Sequence, residues 1–87
     1  MEKREIIESF LRERIKRQCG LLGVESIQVR RDTDLIKEGF FDSLSFVDLI
    51  GDCEREFNVT IDLDNFNPAD FTKFGNLTDI VQNAKGA

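Results

Sequence analysis

The sequence predicts a small all-α domain built from three main helices and one short helix, with a long first loop. Three observations predict it. Apolar residues recur at three- and four-residue spacing in three separate stretches, as in helices buried along one face. The stretches between them are rich in Gly, Asn and Asp, which end regular elements. The 87 residues carry 40% hydrophobic content, including eight phenylalanines, enough for one modest core. The whole chain, 1–87, therefore reads as a single domain.

The first helix is expected over about residues 3–18. In "KREIIESFLRERIKRQCG", Ile6, Phe10, Ile7, Leu11 and Ile15 form an apolar stripe, and charges fill the other face. Glu8 and Arg12 stand four apart as an ion pair, and Gly20 is the expected stop. Residues 19–42 follow as a long connection. Its apolar members, Leu21, Leu22, Val24, Ile27, Val29, Leu35 and Ile36, should anchor it on the core, with a helical turn near Thr33–Lys37. Loops of this length within a compact domain often carry function.

The second main helix is expected over about 43–57. Leu44, Val47, Ile50, Glu54 and Phe57 give its stripe, widened by Phe46, Leu49 and Cys53. Gly51 within it costs up to about 1 kcal/mol against alanine, so it marks either a close approach or a locally unoptimised position. After Phe57, "NVTIDLDNFN" reads as a loop with Val59 and Ile61 inward, because a lone strand would have no partner. A short helix is expected over about 67–71, with Asn67 as cap and Pro68 in first position. The last helix is expected over about 76–85, capped by Asn76, with Leu77, Ile80 and Val81 inward. Phe46 and Phe66 are expected to fill the core rather than to line a cleft.

Composition removes several functions. There is no histidine, so neither a Ser-His nor a Cys-His nucleophilic pair can form, and a zinc site is disfavoured. Cys19 and Cys53 match no metal or redox spacing and read as reduced, buried small hydrophobes. No run reaches membrane-spanning length and the first residues are charged, which points to a cytosolic, soluble protein with no membrane insertion; a monomer is expected. Residues 2–17 hold six basic and four acidic side chains; residues 32–64 hold ten acidic and two basic. The acidic half repels nucleic acid and attracts basic protein surfaces. "DTDLIKEGFFDS" fails as a calcium loop, since Lys37 stands where glycine is required and Ser43 where a bidentate acid is required. A carboxylate-pair enzyme has 17 acids to draw on but little room for a pocket.

Ser43 is the candidate site. Asp42 is a good cap for the second main helix, which places the Ser43 hydroxyl in the first turn, near the positive helix end, where an attached phosphate would be partly compensated. Taken alone, Asp42 and Ser43 could simply start a helix.

The wider pattern is "DLIKEGFFDSLSFVDLI", then an acidic amphipathic helix, "VTI", and Phe71-Thr72 before a final helix. It resembles the phosphopantetheine-dependent carrier family: acyl, peptidyl and D-alanyl carrier proteins. The resemblance runs from the first helix to about Ala84. It implies a covalent 4′-phosphopantetheine on Ser43, transferred from coenzyme A by a separate phosphopantetheinyl transferase, with Asp42 presenting the serine. The arm's thiol would hold an acyl or aminoacyl group as a thioester. Such a protein is no enzyme itself. It meets an adenylating, ligase or acyltransferase loading enzyme and then a condensing or transferring enzyme. The resemblance puts Leu44, Val47, Asp48 and Glu54 at partner contacts. Against the fatty-acid members, Ser45 replaces a common Asp, Arg55 a frequent acid and Gly51 a larger apolar residue, and two residues rather than one separate Gly39 from Asp42. Those departures favour a specialised aminoacyl, D-alanyl or secondary-metabolite carrier over bulk fatty-acid synthesis. The competing expectation is an unmodified helical interaction module in which Ser43 only begins a helix.

Overall fold

The computed structural model describes residues 2–25 and 28–86. In order the elements are α1 (Lys3–Leu22), α2 (Ser43–Phe57), β1 (Val59–Thr60), a 3-10 turn (Leu63–Asn65), α3 (Pro68–Phe71), α4 (Phe74–Asn83) and β2 (Lys85–Gly86). The predicted all-α architecture holds, with three main helices, one short helix and a long first loop. The two strands are the addition.

The buried face of α1 is Ile7, Leu11, Ile15 and Cys19, four residues apart throughout. That spacing drifts slowly around a 3.6-residue helix, so one stripe faces the core along the whole length. Ile6, expected in that stripe, is 45% exposed. The helix also outruns its expected end. Gly20 stays helical, and Gly23 closes the helix in the left-handed region (φ +71°), its N–H donating to the carbonyls of Cys19 and Gly20. Arg12 does not pair with Glu8. Its guanidinium lies 4.7 Å from the centre of the Phe74 ring and donates to the Val29 carbonyl at 2.9 Å, while Glu8 pairs with Arg4 at 3.6 Å.

Both other main helices run antiparallel to α1. Phe10 meets Phe57 edge-on at 5.3 Å and Arg14 pairs with Asp52, so α2 descends as α1 rises. Lys3 donates to the Gln82 carbonyl at 3.1 Å while Arg12 covers Phe74, so α4 descends too. Thus α2 and α4 both begin at the end of the molecule where α1 finishes. The core lies between them: Phe46, Leu49, Ile50 and Cys53 from α2 meet Phe74, Leu77 and Val81 from α4 and the α1 stripe. Cys19 and Cys53 are both free and buried, as expected. Burial pushes the Cys53 thiol up to about 12, with neighbouring Asp52 adding to the rise.

The connection from Val24 to Asp42 is anchored differently from the expectation. Leu21, Leu22 and Val24 are exposed; Val29 and Leu35 are buried and Ile36 half-buried; Ile27 lies outside the described residues. The expected helical turn is present, closed by Glu38 N–H on the Asp34 carbonyl (3.0 Å) and Gly39 N–H on that of Ile36 (2.9 Å). Phe40 and Phe41 then enter the core, both N–H groups bonding the Leu35 carbonyl at 3.1 Å.

This loop also explains the start of α4. The last helix begins at Phe74, not Asn76, and Lys73 at its cap position supplies no side-chain bond. Its first free N–H groups go to loop carbonyls instead: Phe74 to Thr33 (2.9 Å) and Gly75 to Arg31 (2.8 Å). Asn76 sits inside the helix and donates to the Asp70 carbonyl at 3.0 Å. In α3, Asn67 caps as expected, its side chain accepting from Ala69 N–H at 3.0 Å with Pro68 in first position.

Val59–Thr60 is a strand after all. Its partner is the segment just past α4, which ends at Asn83 rather than near residue 85: Val59 pairs with Gly86 and Thr60 with Lys85, antiparallel. Two residues of pairing are invisible to hydrophobic periodicity. Phe46 is core, stacked on Phe71 at 5.9 Å, but Phe66 is 42% exposed, contrary to expectation.

Candidate functional site: the start of helix α2

The chain enters α2 from two buried phenylalanines, so its direction is set before the helix begins. Asp42 is extended (φ −95°, ψ −177°) and is the cap residue. Its carboxylate accepts from Ser45 N–H at 2.8 Å and from the Ser45 hydroxyl at 2.9 Å. The Ser45 oxygen in turn accepts from Asp42 N–H at 2.9 Å. The two residues thus close a reciprocal capping box. The Ser45 N–H, and next the Ser45 hydroxyl, hold the Asp42 carboxyl below its ordinary value.

Ser43 is the first residue of the helix and is exposed. Among the described residues its hydroxyl has no side-chain or backbone hydrogen-bond partner. Ser45, two residues on, is half-buried and has its hydroxyl occupied on both sides. The two serines therefore differ in chemistry, and Ser43 is the one an external reagent can reach.

The surface beside Ser43 is apolar and then acidic. Leu44 is 75% exposed and Val47 59% exposed, so neither belongs to the buried stripe predicted for this helix. That stripe runs through Phe46, Leu49, Ile50 and Cys53. Asp48 is exposed one turn below Leu44. Glu54 is not: its carboxylate turns inward and accepts from Ile61 N–H at 2.9 Å, tying the segment after β1 to the helix. Further down, Asp52 is held by both Arg14 and Arg55. With Phe10, Arg17 and Glu56 they line an open hollow between α1 and α2, at the end of α2 away from Ser43.

The family of phosphopantetheine attachment sites matches residues 9–82, which takes in the whole of α2 and the loop before it. The chain belongs to this family. A curated acyl carrier protein from Thermotoga maritima is 42% identical over 60 residues, covering 69% of this chain and 68% of that protein. No solved structure matches. The group proper to a phosphopantetheine carrier is covalently attached 4′-phosphopantetheine. The residues present fit it: a phosphodiester needs an open hydroxyl at a point that tolerates negative charge, and the first turn of α2 provides both.

Sequence reasoning missed the function of Ser45. The signal was available, since Asp42 and Ser45 stand at capping-box spacing just before an apolar run. Set against fatty-acid members, Ser45 shows only as an acid replaced, which hides its place in the cap.

Among the described residues, no helix is long and apolar enough to cross a membrane, and no group of three or more His, Cys, Asp or Glu could hold a metal ion.

Proposed function

We propose that Ser43 is the attachment point and that the protein works as a carrier for a thioester-bound acyl or aminoacyl group. The observation that carries this is the contrast between the two serines at the start of α2: Ser43 is exposed with a free hydroxyl, whereas Ser45 is engaged by Asp42. In the modification, Ser43 Oγ attacks the phosphorus next to the pantetheine of coenzyme A. An O–P bond forms, the pyrophosphate bond breaks and 3′,5′-adenosine bisphosphate leaves. The serine proton passes to a base on a Mg²⁺-dependent phosphopantetheinyl transferase, which is why this chain needs no histidine. Once in place, the arm supplies a thiol that holds cargo as a thioester.

Asp42 presents the serine by starting the helix under it. Leu44, Val47 and Asp48 form the surface a partner meets first, a basic patch on the partner facing Asp48. Phe46, packed on Phe71, supports a filled core with cargo kept outside. The partners are a loading enzyme of the adenylating, ligase or acyltransferase type and an acceptor that condenses or transfers the group, in the cytoplasm. The departures at Ser45, Gly51 and Arg55 and the Phe40-Phe41 spacing support a specialised aminoacyl, D-alanyl or secondary-metabolite role over bulk fatty-acid synthesis.

Intact-protein mass after incubation with coenzyme A, Mg²⁺ and a broad-specificity transferase tests the proposal. Wild type should gain one phosphopantetheine and Ser43→Ala none. If folded wild type gains nothing beside a working control, α2 is an unmodified interaction helix.

A further inference from the structure

We infer that Ser45 is a positioning residue for the modification of Ser43: through its reciprocal pair with Asp42 it keeps the first turn of α2 closed, so that the Ser43 hydroxyl is held in the geometry the transferase binds. The inference rests on the reading of Ser43 as the attachment point, and deepens it.

The geometry is specific. Ser45 spans the turn on which Ser43 sits. Its N–H and hydroxyl both reach the Asp42 carboxylate (2.8 and 2.9 Å), and its oxygen takes the Asp42 N–H (2.9 Å). The next rung, Phe46 N–H on the Asp42 carbonyl (2.9 Å), is anchored because Phe46 is buried. From Phe46 onward α2 is therefore fixed by the core. Ser43 and Leu44, both exposed, have no such support, and Ser45 is only half-buried. What closes the turn there is the capping box, and the Ser45 hydroxyl forms half of it.

Without that hydroxyl, Asp42 N–H loses its acceptor and the carboxylate loses one of its two donors from Ser45. The carboxylate is then freer to swing toward Ser43 or solvent, and the turn opens part of the time. A transferase that binds only the closed turn then sees a smaller competent fraction. A reduced competent fraction raises apparent KM and leaves kcat, read at saturation, unchanged. Loss of a side-chain cap usually shifts such a local equilibrium by roughly three- to tenfold. Apparent KM follows the competent fraction, so it rises by at most that factor, while the opening that exposes Asp42 N–H to exchange shifts by the whole of it.

The test is steady-state modification of the full chain by a broad-specificity transferase, for wild type and Ser45→Ala, Ser45→Val and Ser45→Thr. Threonine keeps the hydroxyl; valine has the same shape without it. Amide exchange at residue 42 is followed alongside. Alanine and valine should raise KM, by no more than about tenfold, with kcat retained, and should speed exchange at Asp42 about three- to tenfold, while threonine stays near wild type. If wild type is modified and all three variants match it, or if threonine fails as badly as valine, or if the loss lies in kcat alone, Ser45 does not act in this way. If wild type itself is not modified, the reading of Ser43 falls and this inference with it.

Discussion

Replacing Gly75 with alanine should destabilise the protein, although alanine is the better helix former. Gly75 lies in the first turn of α4, beneath the loop that carries Arg31. A Cβ there would stand 2.8 Å from Arg31 Cβ and 2.9 Å from Arg31 Cζ and Nε, where ordinary contact begins at 3.4 Å. Arg31 cannot withdraw freely. Its carbonyl accepts Gly75 N–H at 2.8 Å, Thr33 accepts Phe74 N–H at 2.9 Å, and its guanidinium reaches Asp79 at 2.8 Å. Relieving the overlap stretches these bonds. Overpacking costs about 1–3 kcal/mol, and each weakened backbone bond up to about 1 kcal/mol. The gain from helix propensity returns about 1 kcal/mol. The net loss is about 1–2 kcal/mol, which lowers Tm by roughly 4–8 °C per kcal/mol in a domain of this size. Gly51→Ala is the matched comparison. A Cβ there meets only Arg55 Nη1 at 3.5 Å, so the same substitution in α2 should raise stability by up to about 1 kcal/mol. Thermal and urea unfolding of both variants provide the assay. If Gly75→Ala is as stable as wild type, or if the two substitutions shift stability in the same direction, the loop does not press on α4 as described.

The Asp34 carboxylate should be a source of acid sensitivity. Burial raises its pKa, but hydrogen bonds from Lys37 N–H, the Thr72 hydroxyl and Ile36 N–H outweigh that and leave it below the ordinary 3.8. A depressed folded pKa means stability that is present above the ordinary value and lost as pH falls through the folded one. Tm measured against pH should drop steeply below about pH 4, and Asp34→Asn should lower the neutral plateau while flattening that drop. Cys53, with its thiol at about 12, should resist iodoacetamide at neutral pH in the folded protein and react once urea unfolds it. Rapid native alkylation would show that α2 opens far more often than its packing implies.

The helices were legible because their faces are written in residues that cannot go elsewhere. The Ile7-Leu11-Ile15 register and the Asp42 and Asn67 caps are local signals with local consequences. The errors arose where a distant segment settled the matter. Asn76 looked like a cap because asparagine before an apolar run usually is one, yet α4 takes its cap from carbonyls some forty residues earlier in the chain. Val59 looked like loop because its partner is two residues near the end of the chain. Periodicity alone puts Leu44 and Val47 inside, because it fixes the direction of a stripe only to within a residue or so; Phe46 and Leu49 take the core and leave both exposed. At the start of α2, the Asp42 cap and the exposed first-turn position of Ser43 were legible. The second half of the capping box, Ser45, shows only in the hydrogen bonds, where one serine is bound and the other free.

The β1–β2 pairing has a practical consequence for work on this protein. It fastens residues 85–86 beside the last turn of α2, while Ser43 begins the same helix. At 1.5 Å of rise per residue, a fifteen-residue helix separates the two by about 20 Å. A fluorophore, affinity handle or surface tether placed on exposed Lys85 would leave from the far pole of the molecule. Immobilised that way, the protein would turn the start of α2, with the exposed Ser43, away from the surface.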